Sequence, residues 1–199
     1  MKGKKAVYAA VVIAVAVIVF GFYIFSAANS ARQEPSITGK IKNQYTNISM
    51  KSGSFEGNNL VLVSASSGNI MLLLTLGQNF GAATSQRFIA SEEKRMQDLT
   101  HPTKVFDPYL GTETNVSLPE AFRPVQDAVI INGTSVKYYV VYANEIFSYF
   151  VLSPEQAKYR GLSSVFSCND FVYKAELFLP AKEFEKELLL AKFKELYCI

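Results

Sequence analysis

The sequence has a single histidine, two cysteines and no tryptophan among its 199 residues. The lone imidazole, His101, cannot supply the histidine pair of a common zinc site or the second ring of a proton relay. The chain also lacks a G-x-S-x-G motif, a P-loop, a dinucleotide-binding glycine pattern, an H-E-x-x-H helix and a C-x-x-C-H motif. These absences argue against the best-known enzyme classes. We assign no catalytic residue, no metal ligand and no cofactor.

Net charge is almost absent beyond the first residues. The formal charge is +3, and Lys2, Lys4 and Lys5 account for all of it. A nucleic-acid surface needs a clustered positive stripe, so we expect no nucleic-acid partner. Apolar residues make up 49% of the chain and aromatic residues 13%, which is typical of a globular domain.

One long uncharged run dominates the N-terminal region, from Ala6 to Ala28. A helix of that length measures about 34 Å and crosses a hydrocarbon core of about 30 Å. Lysines before it and few charges after it predict that the N-terminus stays in the cytoplasm and the rest crosses. The sequence thus predicts a cytoplasmic tail at residues 1–5, a transmembrane anchor helix at 6–28, a stalk at 29–42 and an extracytoplasmic domain at 43–199.

A cleaved secretory signal is the alternative interpretation of this run. Ser26-Ala27-Ala28 offers a small-residue cleavage site, but the apolar region of a signal is usually about 7 to 15 residues long. Both interpretations place the domain outside the cytoplasm. In the first, the lipid bilayer is itself a partner, through the N-terminal helix.

The cysteines, Cys168 and Cys198, predict a disulfide in an oxidising compartment. A strand from Phe171 to Leu179 followed by an antiparallel helix from Ala181 to Tyr197 would bring the two residues together. The alternatives are two free buried thiols or a two-cysteine metal site. Three sequons, which begin at Asn47, Asn115 and Asn132, predict possible glycosylation sites in a glycosylating lineage.

The first part of the domain reads as two hairpins and a helix. Ser54-Phe55, Leu60–Ala65 and Ile70–Leu76 are strand-like, with turns predicted at Gly57-Asn58 and Ser67-Gly68-Asn69. The fully apolar run Ile70–Leu74 predicts a central strand. A helical period runs from Ser85, a possible cap, to Leu99. The Pro-rich stretch from Thr100 to Pro124 predicts a long irregular loop.

The second part continues with strands. Ala128–Ile131, Asn132-Gly133 and Thr134–Tyr142 predict a hairpin with a type I′ turn. We expect a third strand at Ile146–Leu152, a helical turn at Pro154–Tyr159, and then the strand and helix that precede Cys198. The predicted fold is α+β: a mostly antiparallel sheet packed with a middle helix and a C-terminal helix.

Two groups of side chains remain as candidate sites. Carboxylates near His101 could bind a hard cation, although their spacing matches no known cation loop: Asp98, Asp107, Glu113, Glu120 and Asp127. Aromatic residues alternate along the meander, which favours a helix over each face of the sheet: Tyr138, Tyr139, Tyr142, Phe147, Tyr149 and Phe150. The alternative is that one aromatic face contacts a protein partner.

Three functions fit these patterns. The first is a membrane-anchored extracytoplasmic binding or structural module, acting in a surface assembly or as an accessory subunit of a membrane complex, with a protein partner in or at the membrane. In the second, a basic leader, an apolar helix, a β-rich head and a C-terminal cysteine pair resemble the type IV pilin plan, which implies a filament subunit. The chain departs from that plan because cleavage after Gly3 would leave Lys4 and Lys5 in the filament core. The third is an outward-facing hydrolase or redox subunit.

Overall fold

A computed structural model describes residues 39, 41–78, 80–101, 103–107, 112–145, 148–168 and 171–197. The predicted anchor at 6–28 and Cys198 lie outside these ranges. Among the described residues, no helix combines the length and the apolar character needed to cross a membrane. Residues 39 and 41–44, at the end of the predicted stalk and just beyond it, are helical.

The unit from Tyr45 onward is built on a seven-stranded antiparallel sheet with the strand order β1-β2-β3-β9-β8-β7-β6. Its strands are β1 (Thr46–Phe55), β2 (Asn58–Ser67), β3 (Ile70–Gln78), β6 (Val125–Ile131), β7 (Thr134–Ala143), β8 (Tyr159–Cys168) and β9 (Phe171–Pro180). A separate hairpin pairs β4 (Thr103–Asp107) with β5 (Thr112–Val116). The long helices are α1 (Ala82–Asp98) and α2 (Lys186–Leu196). This confirms the predicted α+β class with its antiparallel sheet, middle helix and C-terminal helix.

Tight turns set the register of the hairpins. Asn132 and Gly133 have φ values of 51° and 78°, which confirms the predicted type I′ turn between β6 and β7. The first hairpin also turns on two positive φ values, at Glu56 and Gly57, one residue earlier than predicted. The predicted central position of Ile70–Leu74 is confirmed, because β3 pairs with β2 on one side and β9 on the other.

Two helices cover opposite faces of the sheet. Met96 of α1 packs near Phe178 of β9, whereas Phe193 of α2 meets Phe166 of β8, their ring centroids 5.8 Å apart. Phe166 is paired with Tyr173, and Tyr173 and Phe178 are five residues apart on β9, so they face opposite sides. We call these sides the α1 face and the α2 face. Tyr139 lies on the α1 face and Tyr138 on the α2 face, as expected if a helix packs over each.

The core is centred on β3, β8 and β9. Leu72, Leu177 and Phe178 are fully buried, and each such side chain contributes about 1.5 to 3 kcal/mol of hydrophobic stabilisation. A second cluster closes the end of the α1 face where α1 begins. There the Phe88 ring lies edge-on to those of Phe55 and Phe80, with centroids 5.1 and 6.0 Å away.

Several predicted elements were wrong. The stretch Thr100–Pro124 is not a plain loop, because it holds β4, β5 and a 3-10 turn at Glu120–Phe122; its four prolines lie outside both strands. No strand forms over residues 148–152, although Tyr149 and Val151 are buried. The neighbour of β7 is instead β8, which was not predicted.

The ends of the helices also differ from prediction. Helix α1 starts three residues earlier than predicted, at Ala82, and Gly81 occupies the N-cap without a side-chain hydrogen bond, so Ser85 is not a cap. The helix predicted from Ala181 to Tyr197 is divided into a 3-10 turn at Ala181–Glu183 and α2.

Candidate binding site

Of the carboxylates grouped with His101 in the sequence, Asp98 ends α1, the helix that the histidine follows, and Glu120 begins a 3-10 turn. The exposed His101 ring lies at the end of α1, where Nδ1 is 3.1 Å from both the Gln97 carbonyl oxygen and Thr100 Oγ1. Asp127 lies on β6 and pairs with Lys186 at 2.6 Å. The side chains of Asp107 and Glu113 lie outside the described part. Among the described residues, no three His, Cys, Asp or Glu side chains converge as a metal site would require.

The sequons fall at three different positions in the sheets. Asn47 is exposed on β1, and its side-chain amide donates a hydrogen bond to Ser66 Oγ at 3.2 Å. Asn132 is exposed at the tip of the β6–β7 hairpin. Asn115 lies in β5. Their glycosylation stays a prediction, as does the Cys168–Cys198 disulfide.

A network of charged and hydroxyl groups fills the space between α1 and the sheet. Lys174 Nζ on β9 lies 3.0 Å from Glu176 Oε1 and 3.3 Å from Glu92 Oε2 on α1. Arg95, also on α1, lies 3.0 Å from Glu92 and 3.6 Å from Glu176. Glu176 is buried, and breaking a buried ion pair costs about 3 to 5 kcal/mol. The network therefore holds α1 on the sheet.

Two hydroxyl groups complete the network. Tyr149 and Ser163 both donate hydrogen bonds to Glu176 Oε1. Burial, together with the neighbouring negative charge of Glu176, raises the pKa of Tyr149 well above its ordinary value. Tyr149 therefore remains a neutral donor throughout the physiological range. Two positive and two negative side chains leave the network without net charge.

A pocket of about 300 Å³ lies beside the network on the α1 face. Its floor is formed by β1, β2, β3 and β9, and Lys174 and Glu176 belong to both the network and the pocket lining. On the β1 and β2 side the lining includes Ser49, Lys51 and Leu62. Leu62 is 41% exposed, so this part of the sheet is not covered by α1.

The two edges of the large sheet differ in how they are protected. Strand β1 is interrupted by a register shift between Thr46 and Ser49 and carries the exposed Lys51. Bulges and edge lysines both discourage pairing with another chain. Strand β6 contains no lysine and no proline, and its register with β7 is unbroken over seven residues.

The exposed surface of β6 is apolar at both ends. Val125 is 61% exposed and Ile130 is 64% exposed. The strand's one charged residue, Asp127, accepts hydrogen bonds from Lys186 at 2.6 Å and from Tyr138 at 2.7 Å. These donors hold the pKa of Asp127 well below its usual range. The edge thus combines exposed apolar side chains with a carboxylate that already has hydrogen-bond partners within the chain.

Sequence reasoning missed the network and the pocket, although signals for the network were present. Lys174 and Glu176 interrupt an otherwise apolar strand at the same-face spacing of two residues. Glu92 falls on the apolar side of the predicted helix. Charged residues on two buried faces indicate an ion pair between those faces. The pocket gave no such signal, because its walls come from four strands.

No known protein family matches this sequence. No curated protein and no solved structure matches it either.

Proposed function

We propose that the chain is a single-pass, membrane-anchored extracytoplasmic binding module, acting in a surface assembly or as an accessory subunit of a membrane complex. It binds an extended segment of a partner protein along the outer edge of β6. The uncharged run from Ala6 to Ala28, with lysines before it, supports the anchor. The observation that carries the binding role is the unprotected edge of β6.

Pairing with an added strand would use the outward N–H and C=O groups of β6, and the Ala128 N–H would exchange its 2.8 Å hydrogen bond to Asp127 Oδ1 for one to the added strand. Main-chain hydrogen bonds supply affinity in this mode of recognition, and side chains at alternate positions supply specificity. Val125 and Ile130 are five residues apart and therefore face opposite sides of the sheet. The segment that fits is extended and uncharged, with one apolar side chain near each end, on opposite faces of the strand. A charged segment gains little, because Asp127 is already paired with Lys186.

A photo-crosslinking amino acid at Ala128, in the middle of β6, tests this proposal with the full chain in its native membrane. The matched control places the same group at Ser52 on β1, the opposite edge. We expect a discrete adduct from position 128 and none from position 52. A synthetic peptide of the crosslinked segment should then slow amide hydrogen exchange at residues 125–131 of the purified chain.

Lysine substitutions at the two edges distinguish strand pairing along β6 from a partner that merely lies near the crosslinking group. Ile130→Lys places a lysine on the exposed edge and should abolish both the adduct and the exchange protection, whereas Ser52→Lys should preserve both. An adduct with twice the mass of the chain identifies the partner as a second copy. Equal crosslinking from both edges, or an adduct that survives Ile130→Lys, would overturn the proposed function.

A further inference from the structure

The pocket on the α1 face is aligned with one row of the sheet. Lys51 is paired with Leu62, Leu62 with Thr75, and Thr75 with Lys174. Residues directly opposite one another in neighbouring strands point to the same face, so these four side chains form a continuous row. With strands about 4.8 Å apart, the Cα atoms of the two lysines are separated by about 14 Å. The row therefore has an ammonium group at each end and an exposed leucine between them.

The two lysines differ in how their charges are compensated. The Lys174 ammonium lies within ion-pair distance of Glu92 and Glu176, and two carboxylate partners leave one of its three N–H donors available. No ion pair formed within the described part of the chain includes Lys51. Since the network with Arg95 is neutral, Lys51 gives the pocket one uncompensated positive charge.

The rest of the lining suits a ligand with both a polar and an apolar part. Ser49 and Thr75 add hydroxyl groups that donate or accept hydrogen bonds. Leu62 offers an apolar surface that is 41% exposed. A volume of about 300 Å³ is at the small end of the range for small-molecule sites.

We propose that this pocket binds a small organic carboxylate, with the carboxylate between Lys51 and Lys174 and the apolar body against Leu62. One uncompensated charge matches a monoanion. A phosphate ester carries a greater negative charge and is usually held by several cations or by clustered backbone N–H groups. Apolar contact with Leu62 favours an organic acid over an inorganic anion. This site is independent of the β6 edge, which lies at the far side of the sheet.

Titration of the full chain in nanodiscs of zwitterionic lipid with 4-fluorobenzoate, followed by fluorine NMR, tests the proposal. The neutral amide, 4-fluorobenzamide, is the matched ligand. We expect benzoate to bind at least about tenfold more tightly than benzamide, which corresponds to about 1.4 kcal/mol. Raising the salt concentration should weaken the binding of benzoate more than that of benzamide.

Variants separate the charged and apolar parts of the site. Lys51→Gln should weaken benzoate binding about fivefold and leave benzamide unchanged, because it removes one partly exposed charge contact. Lys182→Gln, an exposed lysine outside the pocket, should change neither. Leu62→Ser should weaken both ligands. Equal affinity for acid and amide, equal effects of the two lysine variants, or no saturable binding of benzoate would each overturn the proposal.

Discussion

Two buried polar side chains show how the environment of a single residue sets its contribution to stability. Among the described residues, the Tyr45 hydroxyl is buried and has no hydrogen-bond partner. The Tyr149 hydroxyl is also buried but donates to Glu176. An unsatisfied buried polar group costs about 1 to 3 kcal/mol, whereas a satisfied one is stabilising. The two tyrosines should therefore respond in opposite ways to loss of the hydroxyl.

Tyr45→Phe should raise the free energy of unfolding by about 1 kcal/mol, because it removes an unsatisfied group without changing the ring. Burial and the nearby charge of Glu195 raise the pKa of Tyr45 to about 12. As pH rises from 10 to 12, the unfolded state loses its proton first, so folding becomes less favourable. The variant should lack that part of the alkaline loss of stability. Urea unfolding from pH 7 to 11.5 measures both effects.

Tyr149→Phe is the matched control at the residue scale. It leaves Glu176 without one donor in a buried network, and we expect the free energy of unfolding to fall by about 1 to 3 kcal/mol. If Tyr45→Phe destabilised the chain at pH 7 to a similar extent, the hydroxyl of Tyr45 would have a partner in solution, and the prediction would be wrong.

At the scale of the elements, β8 shows how neighbouring strands determine the conformation of a segment. Its sequence includes Gly161, Ser163, Ser164 and Ser167, and glycine is depleted in strands by intrinsic preference. The strand forms because β7 and β9 pair with it on both sides. Both helices also pack over it from opposite faces. At Gly161 the backbone of β9 approaches so closely that no side chain fits.

Gly161→Ala should reduce the free energy of unfolding by about 3 kcal/mol, the upper end of the usual cost of overpacking. The added Cβ would collide with the carbonyl oxygen of Leu177 and the ring of Phe178, and a backbone atom cannot move aside easily. Thermal or urea unfolding of the purified chain measures the change.

The control for Gly161 is Gly68, in the turn between β2 and β3. A Cβ there meets nothing within 4 Å, but φ is +57°, so Gly68→Ala should cost about 1 kcal/mol through backbone strain alone. If the two substitutions cost the same, close approach of β8 and β9 would not be the reason for the glycine.

At the scale of the whole molecule, the end of the chain is held against the sheet. Tyr197, which directly precedes Cys198, has its ring centroid 4.9 Å from that of Phe166. Phe166 is two residues before Cys168 on β8. This contact supports the predicted disulfide, which would fix α2 to the sheet and would need an oxidising compartment.

We predict that the protein recovered from membranes has an intact mass lower than the reduced chain by two hydrogen atoms. Cys168→Ser should lower the free energy of unfolding by about 3 kcal/mol, because the open chain gains conformational entropy when unfolded. Reduction of the parent should produce a similar loss, and reduction of the variant should produce none. Alkylation of both thiols without reductant would contradict the predicted disulfide, and recovery of the uncleaved chain in the soluble fraction would contradict the predicted location.

Local chemistry in the sequence was enough to predict the elements that depend on neighbouring residues. Asn132-Gly133 predicted its turn because few residue pairs adopt two positive φ values. The apolar run Ile70–Leu74 predicted an interior strand because side chains on both of its faces are apolar and are stabilised by burial. The periods of α1 and α2 predicted helices with one buried side. The fold class follows from these elements together.

Tertiary structure decided what depends on residues distant in the chain. Strand β8 forms because β7 and β9 pair with it on both sides, although it contains Gly161, a residue type that is depleted in strands. Residues 148–152 form an irregular segment in which Tyr149 and Val151 are buried, because β8 is the strand that pairs with β7. The pocket joins Lys51 to Lys174 across four strands, and only the register of those strands decides which side chains meet. Sequence patterns indicate the conformation of a residue's own segment. Strand partners and pockets depend on the free energy of the whole folded chain.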